Sequence, residues 1–287
     1  MNRTYGCITT FNKPYYEEMA HYMIETYDKF WPKDINLYAY LEDFKLPIVS
    51  SNIVTYDIFE KCNPDLQSFL DWRGQHFTRG FSFKAYTFIN AARTMTEDVL
   101  IYLDADSITF RPIKKEFLDK VLPEDTLAAY MGVTMDKGKY KGTNLQNAET
   151  CIFFINLKHP GANDFVNHYE HIYNSREIDD RERFRKPHDT WAFTECVQLA
   201  EKAGHKIHDL HSERKAHSPL KETMLAKYFR HFKAARKNDP NKGKYIDKIT
   251  KGAEAKDLDA IEKKNKRSVN LKKTDLRWDK KTGTWIE

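Results

Sequence analysis

Two aspartates separated by one residue, Asp104 and Asp106, follow a run of five apolar residues, Val99–Leu103. The apolar run predicts a buried strand, and ligands of open α/β sheets gather outside the carboxyl ends of such strands. Residues i and i+2 of an extended segment point the same way, so both carboxylates can face one cation. Mg²⁺ and Mn²⁺ favour oxygen ligands and are often bound together with phosphate oxygens. The pattern predicts a divalent-cation site, and an acidic turn after a strand is the simpler alternative.

The segments around this pair alternate between strand and helix patterns. Strands are predicted at residues 6–11, 35–41, 53–56 and 99–103, and amphipathic helices at 15–30 and 82–95. Further strands are predicted at 126–131 and 151–156, and further helices at 163–173 and 189–203. Alternation of this kind is typical of an α/β domain built on an open sheet.

The chain has 287 residues, enough for one large domain or a domain with an appendage. No apolar run approaches the roughly 18 residues of a membrane span, and Met1–Cys7 lacks the apolar segment of a signal peptide. We therefore expect a cytoplasmic protein without stable membrane insertion. The cysteines form no CxxC pair, so we expect reduced thiols and no zinc site built on cysteine. They are Cys7, Cys62, Cys151 and Cys196.

Positive charge is concentrated near the C-terminal end. Residues 227–287 contain 19 Lys/Arg and 9 Asp/Glu, whereas the whole chain has a net charge of +5. A turn-rich break at 238–243 precedes a polar stretch with a helical pattern at 256–266. We predict a main domain of residues 1–237 and a basic, partly helical appendage of residues 238–287. This charge would attract anionic partners, such as a nucleic-acid backbone or an anionic membrane surface.

Five segments between Tyr5 and Lys237 resemble the GT-A glycosyltransferases, especially a group common in phage and bacterial genomes. The segments are Ile8–Asn12, Phe81–Lys84, Asp104–Asp106, Glu149–Asn156 and His231–Lys237. The resemblance implies a Rossmann-like open mixed sheet flanked by helices. It also implies an enzyme that moves a sugar from a nucleoside-diphosphate sugar, with UDP favoured, to an acceptor hydroxyl. Mn²⁺ or Mg²⁺ would be bound through the Asp-x-Asp motif.

The resemblance also implies roles for individual residues. His231 would complete the metal site with Asp104 and Asp106, and its imidazole suits Mn²⁺ better than Mg²⁺. Ala234 stands where the family pattern has glycine, and its methyl group crowds a close backbone approach to phosphate. There are simpler alternatives: Thr9, Thr10 and Asn12 could only cap a strand end, and Lys233, Arg236 and Lys237 could form a solvated basic face. The implied donor-binding residues are Thr9, Thr10, Asn12, Lys84, Asp104, Ala105, Lys233, Arg236 and Lys237.

Two further acidic residues are candidates for the transfer step. Asp189, within Pro187–Phe193, can deprotonate an acceptor hydroxyl in an inverting reaction, or it can cap the helix that it opens. Glu149 can stabilise positive charge on the sugar in a retaining reaction. Inverting and retaining stereochemistry therefore both stay open.

The acceptor and the functional class have alternatives. The basic appendage suits a hydroxymethylated base in double-stranded phage DNA, flipped out of the helix, in which case the enzyme acts in the host cytoplasm. A cell-surface glycan or a lipid-linked acceptor is the alternative. A non-catalytic nucleic-acid-binding protein would explain the appendage but not the acidic strand end. A sugar-nucleotide pyrophosphorylase is disfavoured, because Ile8–Pro14 contains no glycine.

Overall fold

The computed structural model describes residues 3–46, 50–74, 79–135, 145–180, 188–211, 219–232, 242–250, 277–279 and 284–286. The chain divides into two compact units, Met1–Asp239 and Pro240–Glu287. The predicted boundary after Lys237 lies outside the described residues, as does the helix predicted at 256–266. Both stay predictions.

A seven-stranded mixed sheet forms the centre of the first unit. The strands of this unit are β1 (Tyr5–Asn12), β2 (Asn36–Glu42), β3 (Ile53–Asp57), β4 (Val99–Leu103), β5 (Ser107–Thr109), β6 (Ala128–Met135), β7 (Leu145–Asn156), β8 (Ile207–Asp209) and β9 (Phe229–His231). The order across the large sheet is β3-β2-β1-β4-β7-β6-β8, and β5 pairs separately with β9. The first four strands in that order run parallel, whereas β7 is antiparallel to both of its neighbours.

Helices flank the sheet, and most follow the predicted periodicity. In the first unit they are α1 (Lys13–Tyr15), α2 (His21–Phe30), α3 (Ile58–Cys62), α4 (Asp65–Arg73), α5 (Arg79–Thr94), α6 (Lys115–Val121), α7 (Ala162–Asn174) and α8 (Asp189–Lys202). A π-helical turn, Tyr16–Ala20, joins α1 to α2. Asn12 caps α1, because its Oδ1 accepts from the backbone N of Tyr15 at 2.9 Å. The helical run ends at Trp31, which is extended and precedes Pro32.

The predicted fold class, an open mixed α/β sheet flanked by helices, is confirmed. In the first unit, the helices and strands that the sequence did not reveal are short ones, namely α3, α4, α6, β5, β8 and β9. Short elements show too little periodicity for a pattern to stand out. Strand β7 begins at Leu145, earlier than predicted. Its first residues are mostly polar, so the apolar pattern did not show them, but Leu145–Glu149 pair with β6.

The core packs the sheet against α5, α7 and α8. Aromatic side chains fill this layer: Tyr102 and Phe153 stack at 5.1 Å between ring centroids, and Phe88 meets Phe153 edge-on at 5.4 Å. Residues Val99–Leu103 of β4 are at most 2% exposed, as expected for a strand covered on both faces. All four cysteines are buried and none lies in a disulfide, which confirms the expected thiols.

The carboxyl ends of β1, β2 and β4 meet at one edge of the sheet. Asn12 at the end of β1 pairs in register with Glu42 at the end of β2. β4 runs parallel to β1 and ends immediately before Asp104. This edge is where an open α/β sheet presents its ligand-binding residues.

The second unit contains one helix and one hairpin among its described residues. Helix α9 covers Lys242–Thr250 and therefore begins inside the turn-rich segment 238–243. Strands β10 (Arg277–Asp279) and β11 (Thr284–Ile286) pair antiparallel, with Trp278 opposite Trp285. Across the described ranges of both units, every helix is too short or too polar to span a bilayer.

Candidate active site

A cavity of about 1050 Å³ opens at the carboxyl edge of the large sheet. Most of the site residues expected from the sequence line this cavity. They are Thr10, Asn12, Lys84, Asp104, Ala105, Asp106, Glu149, Asp189 and His231. Thr9 does not line it and is fully buried within β1. Lys233, Arg236 and Lys237 lie outside the described residues, so their roles stay predictions.

The two aspartates of the motif lie in a tight turn between β4 and β5. The backbone N of Asp104 donates to the carbonyl O of Cys151 at 2.8 Å, and the backbone N of Ser107 donates to the carbonyl O of Asp104 at 2.8 Å. The first bond holds the turn against β7, and the second closes the turn itself. Asp106 is only 3% exposed, whereas the side chain of Asp104 is 27% exposed.

His231 reaches the aspartates through the pairing of β5 with β9. The register places Ser107 opposite His231, and the backbone N of Phe232 donates to the carbonyl O of Asp106 at 3.0 Å. The Nε2 atom of His231 consequently lies 2.9 Å from Oδ1 of Asp106 and 3.7 Å from Oδ2 of Asp104.

The chemistry of these three side chains fits a divalent cation. One ligand atom from each of Asp104, Asp106 and His231 can be chosen so that all three lie within 4.8 Å of one another. Two carboxylate oxygens with one imidazole nitrogen suit Mn²⁺, which accepts nitrogen more readily than Mg²⁺ does. The Nζ atom of Lys84 donates a hydrogen bond to Oδ1 of Asp104, so Oδ2 is the oxygen that faces His231.

Lys84 on α5 places a buried positive charge beside the cluster. Its Nζ atom lies 2.9 Å from Oδ1 of Asp104 and 3.1 Å from Oδ2 of Asp189, and it donates to the carbonyl O of Thr150 at 2.6 Å. The ammonium also lies 4.4 Å from the ring centroid of Tyr102. Burial by itself lowers the pKa of Lys84, but the two carboxylates outweigh it and raise that pKa well above its ordinary value. Lys84 therefore stays charged.

Asp189 opens α8 and is 2% exposed. Its Oδ2 accepts from the hydroxyl of Thr150 at 2.6 Å, and its Oδ1 lies 2.7 Å from Nδ1 of His188. Burial alone would raise the pKa of Asp189, but Lys84, His188 and Thr150 together hold it well below its usual value. A carboxylate that binds protons this weakly is a poor base, so this environment suits an anchor for Lys84 better than a proton acceptor.

Asp104 has the opposite electrostatic balance. Burial raises its pKa, the charge of Lys84 lowers it, and the neighbouring Asp106 raises it again, with a net increase. A cation bound between the two aspartates would relieve this repulsion. Glu149, on β7, is half-buried and faces the same cavity.

The residues that the sequence predicts on the nucleotide side come from the end of β1, and Tyr15 comes from α1. Thr10, Asn12 and Tyr15 line the cavity. The phenol of Tyr15 hydrogen-bonds the carboxylate of Asp106, and burial together with that carboxylate raises the pKa of Tyr15 well above its ordinary value. Tyr15 therefore links α1 to the acidic pair.

Thr150 and Glu42 are among the cavity residues that the sequence interpretation did not assign to the site. Thr150 connects Lys84 to Asp189 through its hydroxyl, at 3.1 and 2.6 Å respectively. Glu42 lines the cavity, and burial with the nearby charge of Asp43 raises its pKa to about 7. The available signal for Glu42 was its position at the carboxyl end of a predicted parallel strand.

No protein-family model matches the chain, and no curated protein matches it significantly. Among solved structures, mouse xyloside xylosyltransferase 1 in its apo form is 13% identical, with 72% of this chain and 85% of that chain covered and a TM-score of 0.47. A glycosyltransferase involved in glycosylation of the major capsid of PBCV-1 is 12% identical, with 82% and 97% covered and a TM-score of 0.43. The apo bifunctional glycosyltransferase WbbM is 12% identical, with 74% of this chain but only 40% of that chain covered and a TM-score of 0.43. Because these identities are low and each of these TM-scores is below 0.5, functional inference depends on the chain's own residues.

Proposed function

We propose that this chain is a divalent-cation-dependent glycosyltransferase that uses a nucleoside-diphosphate sugar. The observation that carries the proposal is the cluster of Asp104, Asp106 and His231 at the wall of a large cavity, with ligand atoms within 4.8 Å of one another. An oxygen-rich cation site at the carboxyl edge of an open α/β sheet is suited to a diphosphate. Glu149, on the wall of the same cavity, supplies a group for the sugar.

The roles of the surrounding residues follow from their contacts. A bound Mn²⁺ or Mg²⁺ would neutralise negative charge on a diphosphate leaving group. Lys84 orients the carboxylate of Asp104, with Oδ2 facing His231. Asp189 holds Lys84 in that position through the ion pair at 3.1 Å.

Glu149 is the better placed of the two candidate acids for contact with the sugar. Its side chain is half-buried on the cavity wall, whereas Asp189 is only 2% exposed. We propose that Glu149 faces positive charge developing on the donor sugar. This role belongs to a retaining transfer, and the anomeric configuration of the product decides between the two stereochemical outcomes.

Donor hydrolysis tests the proposed function before any acceptor is known. Purified full-length chain is incubated with a panel of nucleoside-diphosphate sugars in Mn²⁺, and nucleoside diphosphate release is measured. We expect release from one or a few donors, with UDP-sugars first, and loss of release in EDTA and in Asp104→Asn. Release that persists in EDTA, or full activity of Asp104→Asn, would contradict the proposal.

The acceptor stays a prediction. Double-stranded DNA with a hydroxymethylated base is the first candidate, because the appendage of residues 238–287 is rich in Lys and Arg. A gel shift with duplex DNA across a salt series tests it, since phosphate contacts give binding that weakens steeply with salt. Absence of salt-sensitive binding would favour the glycan or lipid-linked acceptor.

A further inference from the structure

A second group of metal-ligand side chains lies beside the acidic pair and shares one residue with it. Glu149, Cys151 and His231 offer an oxygen, a sulfur and a nitrogen atom within 4.8 Å of one another. Glu149 and Cys151 are two positions apart on β7, at a stretch where the register with β6 shifts. Such irregularities re-aim side chains, and they are common next to functional sites.

The ligand atoms of the two groups favour different cations. Thiolate, imidazole and carboxylate together suit Zn²⁺, which is bound by nitrogen and sulfur ligands in a tetrahedral arrangement. Asp104, Asp106 and His231 instead offer mainly oxygen, which suits Mn²⁺ or Mg²⁺. The spacing of the cysteines argued against a zinc site, but here only one ligand is a cysteine and a separate strand supplies the histidine.

An ion can reach the second group from the cavity. Glu149 and His231 line the cavity, while Cys151 has no exposed surface. The ion would therefore pass between the carboxylate and the imidazole to reach the thiol. Binding converts the thiol to a thiolate, and its proton is released to solvent.

The shared histidine makes the two groups compete. A neutral imidazole carries one N–H and a single lone pair, so His231 can ligate one cation at a time. We propose that Glu149, Cys151 and His231 form a zinc-selective site, and that its occupation withdraws His231 from Asp104 and Asp106. The binding part stands independently, whereas the consequence, inhibition of sugar transfer by Zn²⁺, rests on the proposed function.

Cobalt substitution tests binding without any assay of activity. The full-length chain is titrated with Co²⁺, and the thiolate-to-cobalt charge-transfer absorption is recorded. We expect the band in the wild-type protein and in the control Cys62→Ala, its disappearance in Cys151→Ser, and its loss from wild type on addition of Zn²⁺. Absence of the band in wild type, or its persistence in Cys151→Ser, would overturn the site.

A second variant covers the case in which Cys151→Ser does not fold, because Cys151 is fully buried. Glu149→Gln changes a half-buried side chain on the cavity wall and keeps the thiol. We expect its charge-transfer band to remain and its affinity for Zn²⁺, measured by competition with a chromogenic chelator, to fall at least about tenfold. Unchanged Zn²⁺ affinity would remove Glu149 from the site and overturn the three-ligand arrangement.

Donor hydrolysis in Mn²⁺ with increasing Zn²⁺ tests inhibition. Wild type and Cys62→Ala should be inhibited at the same Zn²⁺ concentration, and Cys151→Ser should need at least about tenfold more. Equal inhibition of all three proteins would overturn the competition. If the cobalt band is present but no donor is hydrolysed, the proposed function fails while the zinc site stands.

Discussion

The Nε2 atom of His231 lies 2.9 Å from Oδ1 of Asp106, although the two residues belong to distant parts of the chain. The contact exists because β9 pairs antiparallel with β5, which begins immediately after Asp106. A three-residue strand therefore adds a third candidate ligand to the proposed cation site, to which the acidic motif alone contributes two. The consequences can be tested one side chain at a time.

Loss of one ligand should weaken cation binding. We expect His231→Gln and Asp106→Asn each to lower Mn²⁺ affinity at least about tenfold, since second-sphere changes alone cost that much in metal sites. The measurement is isothermal titration of the full-length chain with Mn²⁺. The control is Asp71→Asn, an exposed carboxylate on α4. Wild-type affinity in His231→Gln would show that the histidine is not a ligand.

Removal of Lys84 should destabilise the fold. Lys84→Met leaves Asp104 and Asp189 without the buried cation that both contact. Breaking a buried ion pair by removing one partner costs about 3–5 kcal/mol in the free energy of unfolding. Urea denaturation measures this loss.

The control for that experiment is an exposed pair. Lys206→Met breaks the pair with Asp125, whose side chains are 59% and 69% exposed, and the unfolding midpoint should stay within experimental error. Equal losses in the two variants would show that burial does not govern the cost.

Asp189 should act through Lys84 rather than as a base. Its pKa is held well below the usual value, so we expect Asp189 to add no limb to the pH profile of transfer. Asp189→Asn should lower kcat and leave the shape of the profile unchanged. Disappearance of an acid limb in Asp189→Asn would instead identify Asp189 as the proton acceptor.

Glu42 should make stability depend on pH. Its pKa is about 4.5 in the unfolded chain and about 7 in the fold, so the folded state binds more protons between these values. Stability contributed by this group is complete below the lower pKa and is lost as pH rises through the upper one. Glu42→Gln should remove that loss, which amounts to at most about 3 kcal/mol.

The pH experiment compares urea midpoints at several pH values. The wild-type curve should fall below that of Glu42→Gln as pH rises toward 7 and beyond. Glu60→Gln, an exposed carboxyl on α3, is the matched control and should follow the wild type. Parallel curves for wild type and Glu42→Gln would contradict the shifted pKa.

Much of the fold was accessible from local patterns. The apolar run Val99–Leu103 predicted a buried strand, and β4 occupies those residues. Helices α2, α5, α7 and α8 follow the apolar spacing of their segments. Strands β5, β8 and β9 were not predicted, since three residues are too few to show a period.

The acidic pair, the strand that precedes it and the α/β alternation can be read from local patterns, because they depend on neighbours within a few positions of the chain. Which distant side chains join the pair depends on the packing of the whole fold. Lys84 meets Asp189 because α5 and α8 pack on the same sheet. Cys151 comes near His231 because β7 lies beside β4, and β5, which follows β4 in the chain, pairs with β9. Strand order and register depend on how the whole core packs, so no local spacing encodes these contacts.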